Sequence, residues 1–574
     1  MTNYQIKNVN KIKTILTHMY LKKLHVKNFR GIKDSEIHFN KGLNILIGPN
    51  NSGKTTIIDA LRICLSKGDY NSKSVKLEDF YKVTKNSKDN YPTVEFDLTF
   101  CIEKEFEKAL FIELYNPINN TLDINFTFNY NLKQQRVNYE IKGGEKKDNT
   151  ISNESLGFIR NIYLSALRDA NRYLTPGRYN ILSSFFSELL SDDDKEEMMG
   201  EINNKINESQ ISEFITESNQ EYIQNHFDRM KFENEEMNLS MSPLDQDFDN
   251  FTKNWKIQLP FGNSDYLELH QNGLGYNNLI YISVLLSHLD SIKKGSEENA
   301  YISLCIEESE AHLHPQLQNS FFGYLNNINK QSNIQLFITS HSPTLTSKAD
   351  LNSLILIQNT GNNVIAHNLP NSFPEVEDQN FLKKFLDVTK SQLLFSKKVI
   401  FVEGISEALL VPVFARICDF DFDKYGVEVV NVQGLSFKHF APLFDDDNDL
   451  ILKGAILTDD DRNSICGDES DSYNKIKSLE TDKLKVYSSR KTFEFELIYT
   501  NGFESEIWEI FKKKHPGIFG DIDDFTSLFN VFNSEQKNSI KKADLALILS
   551  QELENESEEV VPEYIRSAFD YLRG

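Results

Sequence analysis

The sequence predicts an α/β chain built from two successive modules, the first interrupted by a helical insertion. Three observations lead there. A short apolar run, Leu43–Ile47, feeds a glycine-rich turn and then a stretch of helical periodicity (Ile57, Ile58, Leu61, Cys64, Leu65), the strand–turn–helix order of a parallel sheet. Further apolar runs at 302–306, 335–338, 399–402 and 454–457 each end in polar or acidic residues. Residues 181–254 change character: they are rich in Glu, Asp, Asn and Ser, with sparse apolar residues three and four apart, the pattern of exposed helices.

Length and composition bound the possibilities. At 574 residues the chain holds several domain-sized pieces, and its apolar and charged fractions (39% and 26%) are those of a globular protein. The formal charge of −23 argues against nonspecific coating of nucleic acid, so any such contact needs a local basic groove or metal ions. The five cysteines (Cys64, Cys101, Cys305, Cys418, Cys466) include no CxxC pair, which fits a reducing cytosol. No apolar run reaches the ~18 residues of a membrane helix, and no signal-peptide pattern opens the chain, so a cytoplasmic protein without membrane contact is expected.

In order along the chain, residues 1–18 are polar and mixed, and are expected to be an extension. A first nucleotide-binding part spans 19–180, with an early strand near 21–29 and antiparallel strands from Val94 to Tyr139, where apolar and polar residues alternate. Residues 142–155 form a polar break. The helical insertion, an expected dimerisation arm, spans 181–260. Residues 261–390 complete the first module, and 391–574 form the second.

Gly48-Pro49-Asn50-Asn51-Ser52-Gly53-Lys54-Thr55 matches GxxxxGK[ST] in full, between a strand and a helix as its geometry requires. Backbone N–H groups from Asn50 to Thr56 wrap phosphates in such a loop; Lys54 supplies charge for the β/γ-phosphates, and the Thr55 hydroxyl is placed for Mg²⁺. The run at 302–306 delivers Glu307 and Glu308 at a strand's C-terminal end, where a Mg–nucleotide complex sits in an α/β sheet. One carboxylate, Glu307, would orient the magnesium shell; the next, Glu308, would polarise the attacking water. His341 follows another such strand.

The second module repeats the device with carboxylates. Glu403 ends the strand at 399–402, and Glu407 follows one helical turn later. Asp459-Asp460-Asp461 ends the strand at 454–457; in a continuing strand Asp459 and Asp461 share a face. Phe493-Glu494-Phe495-Glu496 reads as a strand too, with both glutamates on one side. Oxygen ligands without histidine or cysteine suit Mg²⁺ or Mn²⁺, and two such ions would hold Glu403, Glu407, Asp459, Asp461, Glu494 and Glu496 together for in-line phosphodiester cleavage. DNA contacts are expected from Lys483, Lys485, Arg490 and Lys491, or from Lys512-Lys513-Lys514.

The order of Asn28-Phe29-Arg30, the Walker A loop, the Walker B pair Glu307-Glu308 and the switch His341 resembles the ABC-type ATPase heads of the RecF/SMC-like group. Such heads pair so that ATP lies between the Walker A loop of one and the signature segment of the other. Gln271-Asn272-Gly273-Leu274-Gly275 is the signature candidate, which assigns γ-phosphate contacts to Asn272, Gly273 and Gly275; it departs from LSGGQ, and no Q-loop glutamine stands near Tyr163-Leu164-Ser165. Strand-Glu-Gly followed by strand-Asp-x-Asp resembles a TOPRIM domain. Behind an ABC-type head, this is similar to the OLD (overcoming lysogenization defect) family of ATP-binding nucleases, which includes the GajA-type proteins of Gabija defence. The resemblance covers the chain from about Tyr20 onward, apart from the insertion, and Glu407 fits the additional glutamate of that family. It implies a catalytic lysine at Lys542, with neighbouring Lys541 the alternative, and Asp459 and Glu403 at the reacting centre. It also implies a homodimer or larger homo-oligomer through heads and arm, a role in antiphage defence, and a partner such as a UvrD-like helicase or a reverse-transcriptase system.

A metal-dependent DNA endonuclease under ATP control is therefore expected. A clamp-like ATPase with an inactive TOPRIM module is the alternative, and the intact acidic set speaks against it. A topoisomerase or primase is the third reading; a topoisomerase would need a tyrosine nucleophile in a separate DNA gate, for which the segments outside the two modules are too short. A transporter ATPase would need a membrane partner that nothing in the chain suggests.

Overall fold

The computed structural model describes residues 19–66, 73–81, 91–144, 146–165, 173–177, 180–224, 227, 229–230, 239, 246–261, 265–295, 300–311, 313–331, 334–373, 375–386, 390–446, 450–465, 467–553 and 556–574. The extension expected at 1–18 lies outside them. Among the described residues, no helix is long and apolar enough to cross a membrane.

The chain opens with an antiparallel pair, β1 (Tyr20–Phe29) and β2 (Ile32–His38), and β3 (Leu43–Ile47) then runs through the glycine-rich turn into α1 (Lys54–Leu65). There follow β4 (Val94–Cys101), β5 (Tyr115–Asn116), β6 (Thr121–Asn131), β7 (Arg136–Gly143), β8 (Asn149–Thr150) and β9 (Ile159–Leu164). Strand β4 buries Val94, Phe96, Leu98 and Phe100 on one face, the alternation of an antiparallel strand with one covered side. The segment at 142–155, expected to be a loop, holds the end of β7, the short β8 and a helical turn at Asn153–Gly157.

Contacts divide the chain into two compact units, one holding residues up to 163 with 300–310 and 315–574, the other 164–299 with 311–314. The second unit contains α2 (Ile181–Leu189), α3 (Asp192–Asn207), α4 (Gln210–Ser218), the hairpin of β10 (Gln258–Phe261) and β11 (Asp265–Glu268), and the 22-residue α5 (Leu274–Gly295). Helix α2 packs on α5. Ser191 caps α3 by accepting the Asp194 N–H (3.2 Å), and three aspartates in the first turn complement the helix dipole.

In the first unit, β12 (Tyr301–Ile306), β13 (Ile334–Ser340), β14 (Leu354–Asn359) and β15 (Val364–Asn368) join β3 and β9 in a six-stranded sheet of order β15-β14-β3-β13-β12-β9. Strands β3, β12 and β13 are buried at every residue, as parallel strands covered on both faces must be. The other strands of the N-terminal half form an antiparallel sheet of order β2-β1-β4-β6-β7-β8, with β5 beside β6, and share a core with α1.

The C-terminal half of the same unit is a four-stranded parallel sheet, β17-β16-β18-β19, made of β16 (Lys398–Val402), β17 (Val427–Asn431), β18 (Lys453–Asp459) and β19 (Leu484–Ser489). Around it lie α6 (Ile405–Ile417), α7 (Phe493–Asn501), α8 (Lys542–Glu552) and α9 (Glu563–Arg573), which share its core.

Candidate functional site

In sheet order β3, β13 and β12 are neighbours, so their C-terminal ends bring the Walker A loop, His341 and Glu307-Glu308 to one edge. The loop is shaped by left-handed residues: Gly48 (φ 144°), Asn51 (62°) and Gly53 (108°). A Cβ on Gly48 would meet the Ile357 carbonyl at 2.2 Å, and one on Gly53 would meet Val364 at 2.9 Å. Only glycine fits either position. Lys54 is buried inside the loop and donates to the Gly48 and Pro49 carbonyls (2.8 Å each). Burial brings its ammonium down to about 8, against the pull of Glu308 and Glu310. Asn50 and Thr55 are exposed and Thr56 half-buried beside it.

Glu308 takes a left-handed conformation (φ 43°), and its N–H donates to Thr339 Oγ1 (3.0 Å). The His341 N–H donates to Glu310 Oε1 (2.5 Å), and the His341 pKa is lowered by burial and then by Lys54. Glu307 is buried, and among the described residues its Oε1 has no hydrogen-bond partner. Burial and then Asp59 raise its carboxyl to about 7. A loop that needs glycine at two positions and holds a lysine inside it, at the same sheet edge as a buried carboxylate, fits a nucleotide polyphosphate with its magnesium. Asn272, Gly273 and Gly275 belong to the other compact unit, at the start of α5, where Asn272 Nδ2 donates to the Glu268 carbonyl (3.0 Å).

The second site lies at the C-terminal ends of β16, β18 and β19. Glu403 follows β16; its Oε1 accepts the Asp459 N–H (2.8 Å) and the Thr458 hydroxyl. Asp459 ends β18 and accepts from Ser489 Oγ (2.9 Å) at the end of β19. Glu407 stands in the first turn of α6, folded back so that a Cβ on Gly404 would lie 3.1 Å from its Oε2, which explains the Glu-Gly pair. Glu494 opens α7 and pairs with Lys542 of α8 (2.8 Å).

These groups feel one another. Burial, then Glu494 and Glu403, push Glu407 up to about 7. Burial, then Glu403, Glu407 and Glu494, push Asp459 well above the carboxylate range. Glu403 is raised by burial, with Asp461 adding to it. Burial works against the Lys542 ammonium, yet Glu494, Asp459 and Glu407 hold its pKa above the usual lysine value. Among the described residues, no three His, Cys, Asp or Glu side chains are already drawn together as a metal-binding group. The donor set still fits hard divalent cations: all its ligands are carboxylates, and their mutual repulsion is what a cation would relieve.

Three sequence expectations are corrected here. Residues 493–496 are helical, not a strand: Thr492 caps α7 by accepting the Phe495 N–H (3.3 Å), and Phe493 to Ile498 are all buried, so the alternation of Phe and Glu marks no exposed face. At about 100° per residue Glu494 and Glu496 therefore diverge. Glu496 turns to Arg490, accepting from its guanidinium and its N–H (2.9 Å). Asp461 does not continue β18, which ends at Asp459; it is left-handed (φ 53°) and faces Lys491 at 3.6 Å. Lys491 is only 4% exposed and donates to the Arg462 carbonyl (2.9 Å), so it is not the exposed cation that was expected to contact DNA. Asp460, wholly buried, turns inward to Arg462 and the Ser470 N–H (2.8 Å). Sequence reasoning passed over Thr458 and Ser489, whose small hydroxyls at strand ends carry no signal until the sheet order is known.

A P-loop sheet joined to a parallel sheet whose strand ends gather acids and a lysine defines a nucleotide-binding head with a TOPRIM-type domain. Family comparison agrees: residues 19–346 match the AAA ATPase domain, and 394–461 match the overcoming lysogenization defect protein-like TOPRIM domain. The chain belongs to this AAA ATPase family and carries behind it a domain that matches the OLD-like TOPRIM model. It is 25% identical to the endonuclease GajA of Bacillus cereus (strain HuB5-5) over 96% of this chain and 99% of the relative. It is 21% identical to the OLD nuclease of Thermus scotoductus over 72% of this chain and 77% of that one. The C-terminal region of the Xanthomonas campestris pv. campestris OLD protein aligns over 31% of this chain and 95% of that structure at 27% identity, with a TM-score of 0.23.

Proposed function

We propose that this protein is an ATP-binding, metal-dependent DNA endonuclease of antiphage defence, working as a homodimer or larger homo-oligomer. The observation that carries the reading is that Glu403 and Asp459, at the strand ends of the second sheet, and Glu407 and Glu494, on the helices beside it, act on one another electrostatically, with Lys542 paired to Glu494. Glu403, Glu407, Asp459 and Glu494 would hold two divalent ions, Mg²⁺ or Mn²⁺, with Asp461 close by. Such ions supply an activated water and a clamp on the attacking and leaving oxygens. Lys542 contributes a cation beside the reacting phosphate, where negative charge builds on the non-bridging oxygens. Thr458, Ser489 and the Asp459 N–H fix the carboxylates of Glu403 and Asp459 without adding charge. Glu496, held by Arg490, takes a supporting place outside this set. In the head, Lys54, Thr55 and Thr56 would hold ATP with Mg²⁺, Glu307 the magnesium shell, and Glu308 and His341 the attacking water and γ-phosphate. Asn272, Gly273 and Gly275 would serve the nucleotide of a partner head.

The names of the relatives, an endonuclease and a nuclease, support this reading over a clamp-like ATPase. Nicking of supercoiled plasmid with Mg²⁺ or Mn²⁺ tests it, comparing wild type, Asp459→Ala and Lys54→Ala with and without ATP. Cutting is expected in wild type, lost in Asp459→Ala, and altered in its ATP response in Lys54→Ala. Cutting that survives Asp459→Ala would refute the assignment.

A further inference from the structure

The edge strand β9 carries an arrangement that reaches Glu307. Asn161 is buried; its Oδ1 accepts from Ser303 Oγ (2.9 Å) and lies 3.2 Å from Cys305 Sγ, while its Nδ2 donates to Ser66 Oγ (3.1 Å) just past α1. These contacts fix the register of β9 against β12 and the face on which Asn161 lies. Tyr163 stands two residues on, on the same face, and Glu307 stands two residues beyond Cys305. One helical turn before Ser66, Arg62 covers the Tyr163 ring, its guanidinium carbon 3.4 Å from the centroid, and donates to Asp59 (3.1 Å). With the Ala300 and Tyr301 N–H groups donating to the Phe158 carbonyl (3.1 Å each) at the start of β9, this register carries Tyr163 toward the Glu307 end of β12, and its hydroxyl is among the groups that lower the Glu307 pKa; among the described residues, Glu307 Oε1 is buried with no hydrogen-bond partner.

We propose that Tyr163 is a positioning residue of the nucleotide site: its hydroxyl holds one oxygen of Glu307, with Arg62 stacked on the ring, so that Oε1 faces the hydrated magnesium of a bound nucleotide. The proposal rests on the reading of the Walker A loop as an ATP site. The tyrosine fixes the carboxylate without cancelling its charge, which a lysine or arginine in its place would do.

The test is binding of a fluorescent ATP analogue to the full chain, with EDTA and across a Mg²⁺ titration, for wild type, Tyr163→Phe, Glu307→Gln and the double variant. Phenylalanine keeps the ring under Arg62, so the packing is retained. The Mg²⁺ concentration for half-maximal effect is expected to rise about tenfold in Tyr163→Phe, the worth of one hydrogen bond to a charged group. Binding in EDTA is expected to stay unchanged, and the double variant to match Glu307→Gln alone. A Tyr163→Phe protein with the wild-type Mg²⁺ dependence, or additive effects in the double variant, would overturn the proposal while leaving the ATP site intact. No binding by wild type under any condition would overturn the ATP reading and the proposal together.

Discussion

Glu407 is raised to about 7 by burial, Glu494 and Glu403, whereas an unfolded glutamate titrates near its ordinary value of 4.5. Between those two pH values the folded chain holds a proton that the unfolded chain has released, so this group's contribution to stability falls as pH rises from about 4.5 through about 7. Without divalent metal, the protein is therefore expected to melt at a higher temperature at about pH 5.5 than at about pH 7.5. Glu407→Gln, which cannot ionise, should lose part of that slope; identical slopes in a melting series would contradict the burial argument. Metal binding runs the other way, since ions displace protons, and Mn²⁺ affinity should climb with pH over the same interval. Lys542 makes its case on rate. Lys542→Ala removes the cation beside Glu494, and cutting at saturating metal is expected to drop by about a hundredfold or more.

Elements decide how close these residues come. Gly404 lets α6 begin with Glu407 folded over it; Gly404→Ala would set a Cβ 3.1 Å from Glu407 Oε2 and is expected to raise the Mn²⁺ needed for half-maximal cutting about tenfold. Gly48→Ala would drive a Cβ into the Ile357 carbonyl; a lowered melting temperature and loss of ATP-analogue binding are expected, with metal-dependent cutting retained in the absence of nucleotide. The strand ends carrying Glu307, Glu403 and Asp459 were legible in the sequence because a buried parallel strand is a continuous apolar run and the acid marks where it stops. The α7 segment was not legible: Phe493, Glu494, Phe495 and Glu496 are all buried, so an alternation that means strand on a half-exposed surface means nothing there. The turn at Asp461 was likewise hidden, because its left-handed backbone is tied to Lys491, thirty residues away in sequence: the Asp461 N–H donates to the Lys491 carbonyl (3.1 Å). Tyr163 carried no motif at all, and only the register of β9 brings it to Glu307.

At the scale of the molecule, the two sheets of the N-terminal half are fastened by Gln335. Its Oε1 accepts from the Leu21 N–H and the Tyr301 hydroxyl (2.8 Å each), and its Nε2 donates to the Leu21 and Asn40 carbonyls (2.9 Å each). Gln335→Leu strands those buried groups and is expected to cost about 2–4 kcal/mol, read as a lower denaturation midpoint. Cutting at the acids of the second sheet requires that they hold metal. Mn²⁺ bound per chain, measured by electron paramagnetic resonance in the samples that are assayed for plasmid cutting, tests it most directly. About two ions per wild-type chain are expected at the concentrations that support cutting, with binding and cutting lost together in Asp459→Ala. Cutting without bound Mn²⁺, or undiminished Mn²⁺ binding and cutting in Asp459→Ala, would contradict it.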